Sequence, residues 1–417
     1  MNKKTVRDVD FAGKRVLMRV DFNVPLDENA NVTDDTRIRA ALPTILHVLN
    51  QGASLVLMSH LGRPKGKANP AFSLKPAADR LAQLLGKEVA FAPDCVGGSV
   101  SEMASALKPG DVLVLENLRF HPEEEGKPIL PDDATDEQKA AAKTEIKERQ
   151  KEFAAQLAAL GDIYVNDAFG TAHRAHASMA VVTTHFEDCL AGFLLEKEIQ
   201  YLGTAVAHPE RPFVAILGGA KISGKIDVLM NLADKVDSII IGGGMVYTFY
   251  RAKGLPVGAS LVEDDRIEMA RETLARFEEK GIKCLLPIDH VVADKFSADA
   301  NIKTVGEDGI EDGWMALDIG PESIKLFTDE VSRAKTIVWN GPMGCFEMNP
   351  FAAGTMELAK AIAATDAVSI IGGGDSVSAV NKSGLAGQMT HISTGGGASL
   401  EFLEGKDLPG VSALSDK

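Results

Sequence analysis

The sequence predicts an α/β protein: two Rossmann-like, three-layer αβα domains, each with a parallel sheet, joined by an interdomain helix and hinge. Three observations predict it. Short runs rich in Val, Ile and Leu end abruptly in polar or glycine clusters, with helix-period segments between them. Runs this short and apolar read as strands buried on both faces, and their alternation with helices implies parallel sheets covered by helices. The residues that end the runs change from charged to glycine-rich halfway along the chain, and 417 residues favour more than one core.

In the first half the strand runs are "RVLMRVDFN", "SLVLMSHLGRP", "DVLVLENLRF" and "DIYVNDAFG", with "KPAADRLAQLLG" as an intervening helix. They end in Asp21 and Asn23, His60 and Arg63, Arg119, and Asn166 and Asp167. Residues 128–148 form an exposed excursion, where Thr135 and Gln138 make a capping box ahead of an alanine-rich, charged helix with a solvated face. A helix over 190–203 joins the domains, because Leu190, Phe193, Leu194 and Tyr201 share one helical face and Glu196, Lys197 and Glu198 lie largely off it. The second half continues with "FVAILGGAK", "SIIIGGGM", "KCLLPIDHVVAD", "TIVWNGPMG" and "VSIIGGGDS" as strands, and "DDRIEMARETLARFEEKG" and "GTMELAKAIAA" as helices. The expected boundaries are therefore 1–189, a joining segment 190–203, and 204–400.

A net charge of −15 argues against nucleic acid or an anionic membrane as partner. No apolar run is long enough for a membrane span, and "MNKKTVRDVDFAGK" lacks the apolar core of a signal peptide, so a cytoplasmic enzyme is expected. Cys95, Cys189, Cys284 and Cys345 are far apart, and no CxxC pair or cysteine–histidine cluster suggests a disulfide framework or a zinc site.

Ligands of open α/β sheets bind beyond the carboxyl ends of the strands. In the first half those ends and their loops present Arg37, His60, Arg63, Arg119 and Arg174, and guanidinium forks match phosphate and carboxylate. Any one of them alone reads as a surface residue; together, in an acidic chain, they suit a small polyanion. The second half offers glycine turns at "GGAK", "GGGM", "GGGDS" and "TGGGAS". Each is either a plain tight turn or a set of backbone N–H groups at a helix start aimed at an anion. None has the third glycine of G-x-G-x-x-G, which disfavours a dinucleotide-binding dehydrogenase. From Gly219 the chain reads G-x-x-x-x-G-K through Gly224 and Lys225, but Ile226 replaces the P-loop hydroxyl. Asp375 is either a helix cap or a ligand for phosphate-bound Mg²⁺. His173 and His176 lack a third metal ligand and read as structural or substrate-orienting, and Cys345 lacks the partners of a nucleophile.

The stretches "RVDFNVP", "TRIRAALPT", "SHLGRPKG", "LENLRFHPEEE", "VNDAFGTAHRAHAS", "LGGAKISGK", "IIGGGM", "WNGPMGCFE", "IIGGGDS" and "STGGGASLEFLEG" together resemble the phosphoglycerate kinase family, in family order from about residue 5 onward. The resemblance implies a two-lobed monomer of glycolysis and gluconeogenesis. It would move a phosphoryl group reversibly from 1,3-bisphosphoglycerate to ADP, giving 3-phosphoglycerate and ATP. By family pattern Asp21, Asn23, Arg37, His60, Arg63, Arg119 and Arg174 hold the phosphoglycerate on the N-terminal lobe. Gly219, Ala220, Lys221, Lys225, Gly243, Gly244, Asn340, Glu347 and Gly372, Gly373, Gly374, Asp375 and Ser376 occupy the nucleotide positions. Glu347 falls at the ribose and Asp375 at Mg²⁺. Arg37 and Lys221 would contact the transferring group, with backbone at Gly373 and Gly396 assisting, and residues 401–417 would pack back on the N-terminal lobe. Ser376 stands where threonine is common. A two-domain anion-binding protein without chemistry shares the arginines and glycine turns, but it gives no reason to pair Lys221 with Asp375.

Overall fold

A computed structural model describes residues 2–131 and 133–417, without the side chains of residues 204–206; Asp132, inside the 128–148 excursion, lies outside the described residues. The apolar runs are strands: β1 (Arg15–Val20), β2 (Ser54–Met58), β3 (Ala90–Phe91), β4 (Val112–Val114), β5 (Ile163–Asp167), β6 (Cys189–Ala191), β7 (Phe213–Leu217), β8 (Ser238–Ile241), β9 (Lys283–Leu285), β10 (Asp289–Ala293), β11 (Ile302–Gly306), β12 (Met315–Ile319), β13 (Thr336–Asn340), β14 (Val368–Gly372) and β15 (His391–Ile392). They divide between two units, Met1–Ile199 with Asp407–Lys417, and Gln200–Lys406.

The first unit holds a six-stranded sheet in the order β3-β4-β2-β1-β5-β6, parallel throughout. All five residues of β2 and of β5 are buried, as the unbroken apolar runs require. Val16, Met18, Val20, Leu55, Leu57 and Val165 form the core with Ile38, Ile45 and Val48 from the helix Thr36–Asn50. Fully burying an aliphatic side chain of this kind contributes about 1.5–3 kcal/mol. The chain order reverses beside β1, whose neighbours are β2 and β5, and this topological switch places the loops after those strands around one crevice. The second unit repeats the plan in the order β15-β14-β13-β7-β8-β9, again all parallel, with its switch between β7 and β13.

Two features differ from expectation. The run "KCLLPIDHVVAD" is two strands. Lys283–Leu285 joins the parallel sheet, and Asp289–Ala293, beyond Pro287, is the centre of a separate antiparallel sheet β11-β10-β12. Leu190 belongs to β6, and the joining helix starts later, at Phe193, running to Ala207. Gly192 makes the break: a Cβ there would lie 2.2 Å from Asp167 Oδ1. That carboxylate oxygen instead accepts the N–H groups of Leu194 and Leu195 at 2.9 and 3.2 Å, capping the new helix from the end of β5.

The predicted capping box is present, with Thr135 and Gln138 bonded reciprocally at the start of the helix Asp136–Ala158. The last eleven described residues, from Asp407, belong to the first unit. Asn166 Nδ2 donates to Gly410 O at 2.9 Å, Gly410 N to Ala172 O at 2.8 Å, and Lys4 N to Ser415 O at 2.8 Å.

Candidate active site

In the first unit, hydrogen bonds join the residues that follow β1, β2 and β4. Arg37 donates to Asp21 at 2.9 Å, Asp21 accepts the Asn23 N–H at 3.2 Å, and Asn23 Oδ1 accepts the Gly62 N–H at 2.8 Å. Arg119 donates to Gly62 O at 2.9 Å and pairs with Glu125 at 3.2 Å. Arg63 and Arg174 are exposed and make no side-chain hydrogen bond or ion pair to the described residues. Four of the seven expected residues are thus tied to one another or to the Gly62 loop, a fifth, His60, is held by Arg19, and the two exposed cations Arg63 and Arg174 are tied to none of them.

His60 is buried, with Nδ1 3.0 Å from Arg19 Nη2. Burial, then the charges of Arg19, Arg119, His176 and Arg37, hold it well below the ordinary imidazole range, so it stays neutral. Burial likewise brings His173 down to about 4, helped by Arg174, His176 and Arg119.

Two charged residues behind the crevice were missed in the sequence. Arg19, wholly buried in mid-strand, donates to Ser178 Oγ at 3.0 Å. Glu124 is equally buried and accepts from Ser178 N and Oγ at 3.0 and 2.6 Å. Burial alone would raise its carboxyl; His176, Arg19 and Ser178 outweigh it and hold the group at about 2. His176 Nδ1 lies 3.6 Å away, an ion-pair distance rather than a hydrogen bond. A charged residue inside an apolar run, Arg19 in "RVLMRVDFN", was the available signal.

The second unit builds its crevice from main chain. Gly218 and Gly341, at the ends of β7 and β13, touch so closely that a Cβ on Gly341 would lie 2.1 Å from Gly218 O. A Cβ on Gly243 would lie 2.6 Å from Gly219 N, and one on Gly244 3.0 Å from Ala220 O. Gly219, Ala220, Gly243, Gly244, Glu347 and Asp375 line a cavity of ≈ 540 Å³ whose other walls include Leu261, Phe296 and Met343. The helices Gly374–Ser383 and Gly396–Leu403 start side by side: a Cβ on Gly396 would be 3.5 Å from Gly374 N. Gly372 and Gly373 pack on Asn340, and Ser376 Oγ accepts the Gly341 N–H.

The two lysines have different settings. Lys225 is half-buried and donates to Asn340 Oδ1; burial lowers it to about 8, with Asp375 and Glu404 opposing. Lys221 is exposed and heads the turn Ile222–Gly224. Asn340 Nδ2 is buried with no partner among the described residues, which leaves a donor unused. The Asp375 carboxylate is exposed and makes no hydrogen bond or ion pair to the described residues. Burial pushes Cys345 up to about 11, which fits a thiol that is not a nucleophile.

A family model described as phosphoglycerate kinase matches residues 6–406. The chain belongs to the phosphoglycerate kinase family. It is 59% identical to the phosphoglycerate kinase of Chloroherpeton thalassium and 54% identical to that of Synechococcus elongatus, each over the full length of both chains. The solved phosphoglycerate kinase structure from Coxiella burnetii superposes with a TM-score of 0.86 at 39% identity, covering 99% of this chain and 98% of that one. Membership in the phosphoglycerate kinase family makes the chain a phosphotransferase with a carboxyl acceptor and a nucleotide substrate. The two parallel six-stranded sheets are those of phosphoglycerate kinase structures. Among the described residues no helix is long and apolar enough to cross a membrane.

Proposed function

We propose that the chain transfers a phosphoryl group reversibly between 1,3-bisphosphoglycerate and ADP, as a cytoplasmic monomer, with the phosphoglycerate held by the first unit and the nucleotide by the second. The observation that carries this reading is the contrast between the crevices. One offers Arg37, Arg63, Arg119 and Arg174, of which Arg63 and Arg174 are exposed without ion-pair partners among the described residues; the other offers glycine turns and paired helix starts around a mostly apolar cavity. The first suits a small ligand dense in charge, and the second suits a purine with its phosphates.

In the ATP-using direction the attacking group is the carboxylate of 3-phosphoglycerate. It is ionised at neutral pH, so no general base is required, and catalysis reduces to positioning and charge stabilisation. Arg37 and Lys221 are assigned to the transferring phosphoryl, and the N–H groups at Gly373 and Gly396 to its oxygens. Asn340 Nδ2 and Lys225 are assigned to the nucleotide phosphates and Glu347 to the ribose. The unpaired Asp375 carboxylate fits Mg²⁺, which takes hard oxygen donors and commonly one or two carboxylates plus substrate phosphates. Bound there with the nucleotide, the cation would offset phosphate charge.

Because the substrates are assigned to different units, transfer requires closure, which also keeps water from the acyl phosphate. Small-angle scattering with both substrates should report compaction; an unchanged radius of gyration would overturn the closure step. A coupled assay of ATP formation from ADP and 1,3-bisphosphoglycerate tests the activity itself, and absence of ATP would refute it.

A further inference from the structure

Behind the turn that carries Arg119, the fold brings together a cysteine and a histidine that the sequence keeps apart. Asp94 and Cys95 follow β3, and His121 ends the turn Leu118–Phe120 that follows β4; these two strands are neighbours in the sheet. One ligand atom from each of Asp94, Cys95 and His121 lies within 4.8 Å of the other two. His121 Nε2 is 2.6 Å from Asp94 Oδ1, and the Cys95 thiol donates to Glu116 O at 3.0 Å. The His121 ring is fixed by stacking on Phe153, with centroids 5.0 Å apart and planes inclined by 28°. Cys95 is buried, whereas Asp94 and His121 are only partly covered, so the group has a buried sulfur and a side open to solvent.

As a purely structural group, the three residues tie two strand-end turns together, and a hydroxyl or amide could do that equally. The combination of sulfur, imidazole and carboxylate has a more particular chemistry. It suits a borderline cation of the zinc type, whereas Mg²⁺ and Ca²⁺ require oxygen donors, of which this group has one residue.

We propose that Asp94, Cys95 and His121 form a binding site for Zn²⁺, separate from the nucleotide's magnesium, with water as fourth ligand. Zinc bonds of about 2.0–2.3 Å place tetrahedral ligand atoms roughly 3.3–3.8 Å apart, so binding closes the widest gap by about an ångström. On binding, the Cys95 S–H bond breaks, a metal–sulfur bond forms, and the proton leaves to solvent. The imidazole proton moves from Nε2 to Nδ1, freeing Nε2 for the metal, and the carboxylate exchanges its hydrogen bond for a metal bond. Occupancy would stiffen the turn bearing Arg119, which with His121 and Arg63 lines a cleft of ≈ 240 Å³.

The test uses Co²⁺ as a spectroscopic substitute for zinc, titrated into the full chain with a non-thiol reductant and with neither nucleotide nor phosphate present. One equivalent should produce thiolate-to-cobalt charge transfer in the near ultraviolet and tetrahedral visible bands, both bleached by Zn²⁺. Cys95→Ser should abolish the charge transfer. His121→Asn should weaken Co²⁺ binding about tenfold or more, since loss of even an outer-shell partner typically costs about 10–100-fold. If Cys95→Ser does not fold, His121→Asn, at a partly exposed ring, decides alone. No charge transfer in the wild type, or an unchanged signal in a folded variant, overturns the site.

Discussion

The strand ends of the first unit are furnished with long side chains, and those of the second with almost none. Around β1 and β2 the geometry is held by bonds that side chains make to one another and to loop backbone, such as Arg37 to the Asp21 carboxylate and the Gly62 N–H to Asn23 Oδ1. Around β7 and β13 it is held by main chain meeting main chain, with no room for a Cβ on Gly218 or Gly341. A crevice of side chains can lose one group and keep its shape. A crevice of backbone cannot accept a group without moving. The two halves of one architecture therefore fail in opposite ways, and substitutions can separate them.

The largest effect is expected behind the first crevice rather than in it. Glu124→Gln removes the buried carboxylate that faces His176 at 3.6 Å and offsets the charge of Arg19 at longer range, and should destabilise the protein by about 3–5 kcal/mol, read from urea unfolding. The sign with pH follows from a folded value of about 2 against an ordinary 4.5. The carboxylate's contribution is complete above pH 4.5 and fades as pH falls through about 2. The gap between wild type and variant should narrow over that window, and a constant gap would show that charge is not its source.

Next is Arg37→Ala, for which kcat should fall by about 10²-fold or more, the scale for losing a key electrostatic donor, with little change in stability. A variant within about threefold of wild type would remove Arg37 from the reacting centre. Gly373→Ala should act in the other manner. Its φ of +85° and a Cβ only 2.8 Å from Asn340 Oδ1 predict strain of about 1–3 kcal/mol and a raised KM for ADP, with KM for 3-phosphoglycerate unchanged. If both KM values rose together, the division of labour would be wrong.

The last effect, spread over several pH units, concerns the helix cap. Burial raises Asp167 to about 7, against an ordinary 3.8, while the Leu194 and Leu195 N–H groups oppose it. The folded state prefers the neutral acid, so stability falls as pH rises from about 4 to 7, by at most ~1.4 kcal/mol per pH unit for one proton. Asp167→Asn should flatten that slope; an unaltered slope in thermal melts across the window would exclude it.

Both parallel sheets were legible because buried central strands leave long apolar runs that period alone identifies. The antiparallel sheet was not. β11 alternates exposed and half-covered residues, and its polar sequence "IKTVG" resembles a loop. The crevice residues were legible because strand ends concentrate function. Arg19 and Glu124 were not singled out, because a lone charge in a strand or beside two other glutamates says nothing of burial until partners are known. Asp94, Cys95 and His121 have no recognisable spacing, since only the pairing of β3 with β4 unites them.

The segment from Asp407 onward also has a consequence in time. Since Gly410 and Ser415 bond to Asn166, Ala172 and Lys4, the first unit is made of two pieces of chain, and the second unit is in effect a long insertion between them. A ribosome working at about 5–20 residues per second needs roughly 10–40 s to make the intervening stretch of about 200 residues. Throughout that interval the earlier-made unit must wait with Asn166 Nδ2 unpaired, while the later-made unit is free to fold first to completion.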